Sequence, residues 1–87
     1  MTTPDAIMLT LRDHGLAMAK TTLFKVVAKK IDPAKVVHGD YGDYPEDGYD
    51  KLEFLDNLGL IEQREGRYSL TLKGRNFCTK VLDKEKP

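Results

Sequence analysis

The sequence predicts a mostly α-helical domain with one small β-hairpin, an α+β fold of about four helices and two strands. Apolar residues recur at helical spacing in several segments of the chain. Glycine or proline stands where most of these segments should end. A Glu65-Gly66 pair separates two runs typical of strands. With 87 residues, the chain has the length of one domain, which we place at residues 1–82, followed by a solvated tail at 83–87.

Two helices are predicted near the N-terminus. Thr3-Pro4-Asp5 supplies a capping hydroxyl, a proline for the first turn and an acid, and Gly15 supplies a stop, so the first helix should span 4–14. Residues 16–19 then form a connector or a brief strand. The second helix should be capped by Thr21 or Thr22 and should bury a stripe of apolar residues: Leu23, Phe24, Val27, Ala28 and Ile31.

Asp32-Pro33 should end the second helix, because proline disfavours a helical residue before it. The same pair can begin a short further helix at 33–39. Residues 38–48, rich in glycine and acids, are predicted to be a loop. The third helix should run from Asp47 to Leu58 and turn its large apolar residues inward: Tyr49, Leu52, Leu55 and Leu58.

The C-terminal third should hold a hairpin and a last helix. The strand segments are 60–64 and 67–70, with Leu60, Tyr68 and Leu70 as the contacts to the helices. A two-stranded hairpin alone is marginal in water, so such contacts are required. Thr71 should cap the last helix, which carries Phe77, Val81 and Leu82.

Charge is divided along the chain although the total is zero. Residues 1–39 carry +3, residues 40–56 carry −6 and residues 57–87 carry +3. The zero total gives no global field that would favour nucleic acid, a membrane or an acidic partner. A single cysteine, Cys78, excludes an internal disulfide and suits a cytoplasmic location. The longest apolar run is four residues, too short to span a bilayer.

No motif for catalysis is present, so we do not expect an enzyme. The chain has no glycine-rich phosphate loop, no G-x-S-x-G turn and no paired metal-ligand histidines. The acidic run between residues 40 and 56 does not match the spacing of a calcium loop. We therefore predict neither a cofactor nor a metal site.

The C-terminal half resembles a winged helix-turn-helix domain over residues 47–82. The resemblance lies in a leucine-spaced helix (Leu52, Leu55, Leu58) that ends in Gly59-Leu60-Ile61, and in the segment 68–74, Tyr-Ser-Leu-Thr-Leu-Lys-Gly, which opens the last helix after the hairpin. The family implies DNA or RNA binding, or protein contact in members that have lost it. The resemblance places residues 47–58 in the major groove and makes residues 62–68 the wing.

The sequence departs from this pattern in the helix that would read DNA. That helix and its approach carry five acids against Lys51 alone: Glu46, Asp47, Asp50, Glu53 and Asp56. DNA carries one negative charge about every 1.7 Å, so these carboxylates would be repelled. One solution is contact through second-helix lysines and the wing, with the acidic helix turned aside. The candidate nucleic-acid contacts are then Lys25, Lys29, Lys30, Lys51, Arg64 and Arg67.

A small DNA-binding regulator is thus the first functional hypothesis, and a homodimer is expected with it because one module buries limited surface. The lysines have an ordinary alternative role on the solvated side of an amphipathic helix. The second hypothesis is a protein-interaction adaptor on the same fold, and mimicry of nucleic acid by the acidic segment is a third. The adaptor would use tyrosines and acids: Tyr41, Asp43, Tyr44, Tyr49, Asp50 and Glu53.

Overall fold

The computed structural model describes residues 1–83, and within them four α-helices accompany two small antiparallel sheets. The helices are α1 (Thr3–His14), α2 (Lys20–Ala28), α3 (Gly48–Asn57) and α4 (Leu72–Phe77). The strands are β1 (Met18–Ala19), β2 (Val36–Gly39), β3 (Gly42–Pro45), β4 (Ile61–Arg64) and β5 (Arg67–Leu70). A 3₁₀ turn at Pro33–Lys35 precedes β2, and a wider π-helical turn at Cys78–Leu82 follows α4. The α+β class predicted from the sequence is confirmed.

The predicted first helix is present, but its cap differs from the prediction. The hydroxyl of Thr2, not Thr3, accepts the hydrogen bond from the amide of Asp5. Thr3 is already helical and buried, and its hydroxyl donates to a carboxylate oxygen of Asp47 over 2.8 Å. That bond joins the starts of α1 and α3. Gly15 ends α1 in the left-handed conformation, as predicted (φ 79°).

One sheet has three strands in the order β1-β5-β4. The β4–β5 hairpin is confirmed at the predicted place, with Glu65 and Gly66 at the turn in positive φ. The segment left open as a connector or brief strand supplies β1, in which Met18 lies opposite Tyr68 and Ala19 opposite Arg67. The hairpin is therefore held at one edge by β1, and Ile61 and Leu70 enter the core.

The prediction for residues 33–48 holds only at its start. Asp32 caps a 3₁₀ turn at Pro33–Lys35, but residues 36–45 are wrong as helix and loop, because β2 and β3 form a second hairpin with Val36 opposite Pro45 and Gly39 opposite Gly42. Val36 and Val37 are β-branched and favour a strand, and His38 and Asp43 face one another across the hairpin. The backbone amide of Glu46 donates to the carbonyl of Lys35 over 2.8 Å and closes its open end.

The second and third helices differ from prediction in their details. α2 begins at Lys20 without a side-chain cap, so neither Thr21 nor Thr22 caps it, although its predicted apolar stripe is buried. Of the four apolar residues predicted to face inward from α3, only Leu52 and Leu55 are buried. Tyr49 is 58% exposed and Leu58 is 42% exposed, which corrects the predicted four-residue stripe. Tyr49 and Leu58 lie on opposite flanks of that stripe, at the two ends of the helix.

The core lies between the helices and the three-stranded sheet. Its fully buried side chains include Ile7, Leu23, Val27, Leu55 and Ile61. Among residues 1–83, every buried side-chain nitrogen and oxygen has a hydrogen-bond partner. No helix in this described part has the length and apolarity that a bilayer crossing requires.

The closing segment is helical, as predicted, and Thr71 caps it by accepting from the amide of Gly74 over 3.0 Å. Leu82 is buried, but Val81 is 39% exposed. Asp83, predicted to be the first residue of a solvated tail, instead pairs with Arg12 of α1. The rest of that predicted tail, residues 84–87, lies outside the described residues.

Candidate interaction surface

The two candidate arginines lie at the tip of the β4–β5 hairpin. Arg64 and Arg67 are paired across the strands and both are exposed. Neither forms an ion pair with any other residue of the described chain. Like charges placed directly opposite each other on a hairpin are destabilising, so this arginine pair does not stabilise the β4–β5 hairpin.

The candidate lysines differ from one another in their contacts. The ammonium group of Lys30 donates to the hydroxyl of Thr10 on α1 over 3.1 Å. The stem of Lys25 lies across Gly42 of β3, where a methyl group would overlap it. Lys29 is exposed, and Lys51 lies over the ring of Phe54 with its Nζ atom 5.9 Å from the ring centroid. The six candidate residues therefore lie in different local environments.

The candidate tyrosines and acids form a more continuous surface. Tyr41 sits in the turn of the β2–β3 hairpin and is 85% exposed, whereas Tyr44 is half-buried on β3. Asp43 lies 2.7 Å from the Nδ1 atom of His38. On α3, Asp50 and Glu53 are exposed, and so is Asp56 one turn beyond Glu53. We call Asp50, Glu53 and Asp56 the acidic face; none of them forms an ion pair within residues 1–83.

A shallow groove of about 130 Å³ separates the β2–β3 hairpin from α2 and the start of α3. We call it the tyrosine groove. Its lining includes three tyrosines, one phenylalanine, one lysine and two acids: Tyr41, Tyr44, Tyr49, Phe24, Lys20, Asp40 and Asp43. The rings of Phe24 and Tyr49 meet edge to face, with centroids 5.5 Å apart. The Nζ atom of Lys20 lies 4.5 Å from the centroid of Tyr49.

Glycines allow the walls of this groove to approach one another. A methyl group on Gly48 would come within 2.8 Å of the Phe24 ring, so the start of α3 can lie against α2 only with glycine there. A methyl group on Gly39 would come within 2.9 Å of the Tyr44 ring. The glycine-rich composition that suggested a loop therefore serves close packing of aromatic rings.

A second groove, of about 180 Å³, continues the surface toward the β4–β5 hairpin. It is lined by Tyr49, Leu52, Glu53, Asp56, Gln63 and Tyr68. Tyr49 belongs to both grooves. The acidic face and the tyrosine groove are consequently parts of one surface that begins at the first hairpin and ends at the second.

Lys20 and Phe24 were not predicted to be members of this surface. Phe24 has helical spacing and was correctly expected in the buried stripe, and it also lines the groove. Lys20 carried no signal of its own, because its position over Tyr49 depends on how α2 and α3 pack. If residues 36–45 had been predicted to form a hairpin, the contact between the tyrosines and α2 could have been expected from the sequence.

The resolved pKa shifts lie away from the grooves. The hydrogen bond to Asp83 raises the pKa of the Arg12 guanidinium, and the same bond joins α1 to the closing segment. Burial raises the pKa of the Cys78 thiol, which therefore stays protonated and packs as a small apolar group. In the described part of the chain, no three His, Cys, Asp or Glu side chains are grouped so as to hold a metal ion.

Comparison of the chain with protein-family models, curated proteins and solved structures gives no match. The geometry and charge of the surface are therefore the basis on which its function is inferred.

Proposed function

We propose that the chain is a variant of the winged helix-turn-helix domain and that it works as a protein-interaction adaptor for a basic segment of a partner. The element order supports the first part: α3 precedes a hairpin that Thr71 and α4 close, as the resemblance implies. The β4–β5 hairpin would be the wing. The β2–β3 hairpin between α2 and α3 would be an addition to that arrangement.

The observation that carries the adaptor function is the acidic face. Asp50, Glu53 and Asp56 are exposed on the helix that would read DNA, and no cation of residues 1–83 pairs with them. Phosphate would be repelled there, whereas lysine or arginine side chains would be attracted. Exposed tyrosines beside the acids suit a protein interface, where aromatic anchors are enriched.

The placement of the lysines makes DNA binding the second hypothesis rather than the first. Lys30 is engaged with Thr10, and Lys25 lies across the β2–β3 hairpin. A continuous basic surface from α2 to the wing would need both of them beside the arginines. The acidic and aromatic surface is continuous without any such rearrangement.

A fluorescein-labelled decapeptide of alternating lysine and glycine tests the adaptor function by anisotropy. Each exposed charge pair contributes about 0.7 kcal/mol, so Asp50→Asn with Glu53→Gln should weaken binding roughly tenfold at low salt. The matched control is Glu62→Gln with Glu65→Gln, which removes the same charge from the β4–β5 hairpin. Equal losses in the two double variants would mean that only net charge matters, and the adaptor proposal would fail.

The hairpin arginines support nucleic-acid binding as the second candidate function. Arg64 and Arg67 are exposed, close together and without a carboxylate partner in the described chain. If they contact phosphates, replacing both with alanine should weaken binding to a mixed-sequence duplex and reduce the salt slope by about 2. Arg75→Ala with Lys80→Ala, on the closing segment, is the charge-matched control. No binding of the native chain at low salt would exclude this function.

A further inference from the structure

The tyrosine groove has the composition of a site for an organic cation. Aromatic side chains from three elements converge on it: Phe24 from α2, Tyr44 from β3 and Tyr49 from α3, with Tyr41 at its mouth. The face of an aromatic ring attracts a cation that lies within about 6 Å of its centroid. Asp40 and Asp43 add negative charge at the rim. Two carboxylates against the one ammonium of Lys20 leave the lining with a net negative charge, which favours a cationic guest over an anionic or a neutral one.

A cation already lies against this groove. Lys20 lines it, and its Nζ atom is 4.5 Å from the centroid of Tyr49. Within residues 1–83 that ammonium group has neither a carboxylate nor a hydrogen-bond acceptor as a partner. The ring is therefore its main contact, and a lysine stem is flexible enough to withdraw toward solvent.

The size of the groove restricts the guest to a side-chain group. About 130 Å³ is well below the 300 Å³ or more of typical small-molecule sites, so a whole metabolite would not be enclosed. The end of a lysine side chain is compact and can enter from a polypeptide lying along the β2–β3 hairpin. Methylation of that ammonium favours such sites, because aromatic cages recognise quaternary ammonium groups.

We propose that the tyrosine groove binds an alkylammonium group, that of a lysine side chain and most strongly a trimethylated one, and that Lys20 occupies part of this site in the free protein. The proposal rests on the adaptor function, for which it names the anchoring contact. A partner lysine would displace Lys20 from Tyr49 while neighbouring basic residues meet the acidic face. Lys20 then competes with the guest and sets its affinity.

Two small probes test the proposal by NMR titration of the intact chain. The first is N-acetyl-trimethyllysine methylamide, and the second is its neutral isostere with carbon in place of the quaternary nitrogen. We expect the cationic probe to bind about fivefold tighter and to shift the signals of Tyr44 and Tyr49. Equal affinity of the two probes, or no shift with the cation, would overturn the proposal.

Variants locate the site. Tyr49→Leu should abolish the preference for the cation, whereas Phe54→Leu should leave it unchanged. Phe54 is a matched control because it is exposed on the same helix and also lies beside a lysine, outside the groove. If both variants lose the preference, or neither does, the tyrosine groove is not the site.

Lys20→Met keeps an unbranched side chain, one atom shorter, and removes its charge. The variant should bind the cationic probe about fourfold tighter, as expected from the repulsion of unit charges some 5 Å apart in water. Weaker binding would mean that Lys20 belongs to the site instead of competing for it, and would contradict the proposal.

The outcome for the groove is separate from that for the adaptor function. If the lysine-glycine decapeptide fails to bind while trimethyllysine binds selectively, the adaptor function fails and the cation site stands. If the decapeptide binds through Asp50 and Glu53 but the two small probes bind equally, the adaptor function stands and the cation site is wrong.

Discussion

The two hairpins of this molecule have equal strands and two-residue turns but opposite character. The β4–β5 hairpin joins β1 in a sheet and sends Ile61 and Leu70 into the core, and two arginines face each other at its tip. The β2–β3 hairpin forms a sheet of its own and lies along α2, with His38 opposite Asp43. One hairpin contributes two residues to the core cluster. The other packs beside that cluster through Val36, Tyr44 and the buried Pro45, and its glycines and tyrosines build a groove.

The largest expected difference between the hairpins is in stability. Ile61→Ala removes a side chain that is 1% exposed and should lower the free energy of unfolding by about 3 kcal/mol. Val37→Ala, in half-buried β2, should lower it by about 1 kcal/mol, because less apolar surface is lost. Urea denaturation followed by circular dichroism measures both. Similar losses would show that the β2–β3 hairpin is as integral to the core as its counterpart.

A smaller difference should appear when glycines near the two turns are changed to alanine. Gly42 has φ 121° and lies under Lys25, whereas Gly66 has φ 76° and faces open space. Gly42→Ala should therefore destabilise by about 2 kcal/mol and Gly66→Ala by about 1 kcal/mol. Lys25→Ala should reduce the penalty at Gly42, which a double-mutant cycle measures. An additive result would remove steric overlap with Lys25 as the cause.

The smallest expected effects come from the cross-strand charge pairs. Arg64→Glu turns a like-charge pair into an opposite-charge pair and should stabilise the fold by about 0.5 kcal/mol at low salt. Asp43→Asn removes the charge of an exposed partner of His38 and should destabilise by a similar, about 0.5 kcal/mol, amount. Thermal melts at low and high salt test both signs. If Arg64→Glu destabilises, the arginine pair has a structural role that the contacts do not reveal.

The same contrast explains what could be predicted from the sequence. The β4–β5 hairpin has a Glu-Gly turn between runs that carry Ile61, Tyr68 and Leu70, so local chemistry and burial agree. The β2–β3 hairpin has glycines at both ends of its turn and acids at Asp40 and Asp43, a composition shared with loops. Its strands form because α2 supplies a surface to lie on, which is a tertiary effect.

The candidate surface was predictable in composition but not in geometry. The tyrosines and acids were identified from their enrichment between residues 40 and 56. Tyr49 was expected to point from α3 into the core, yet its ring makes an edge-to-face contact with Phe24 and remains exposed. The partnership of Lys20 with Tyr49 depends on the packing of two helices, and no local pattern encodes it.

We propose that a basic protein segment binds between the two hairpins, on the acidic face and the tyrosine groove. An amide NMR titration of the chain with the unlabelled lysine-glycine decapeptide tests it directly. We expect the shifted signals to be concentrated at residues 40–44 and 49–56, and the signals of Arg64 and Arg67 to be unaffected. Shifts spread evenly over all exposed acids, or none at millimolar peptide, would contradict it.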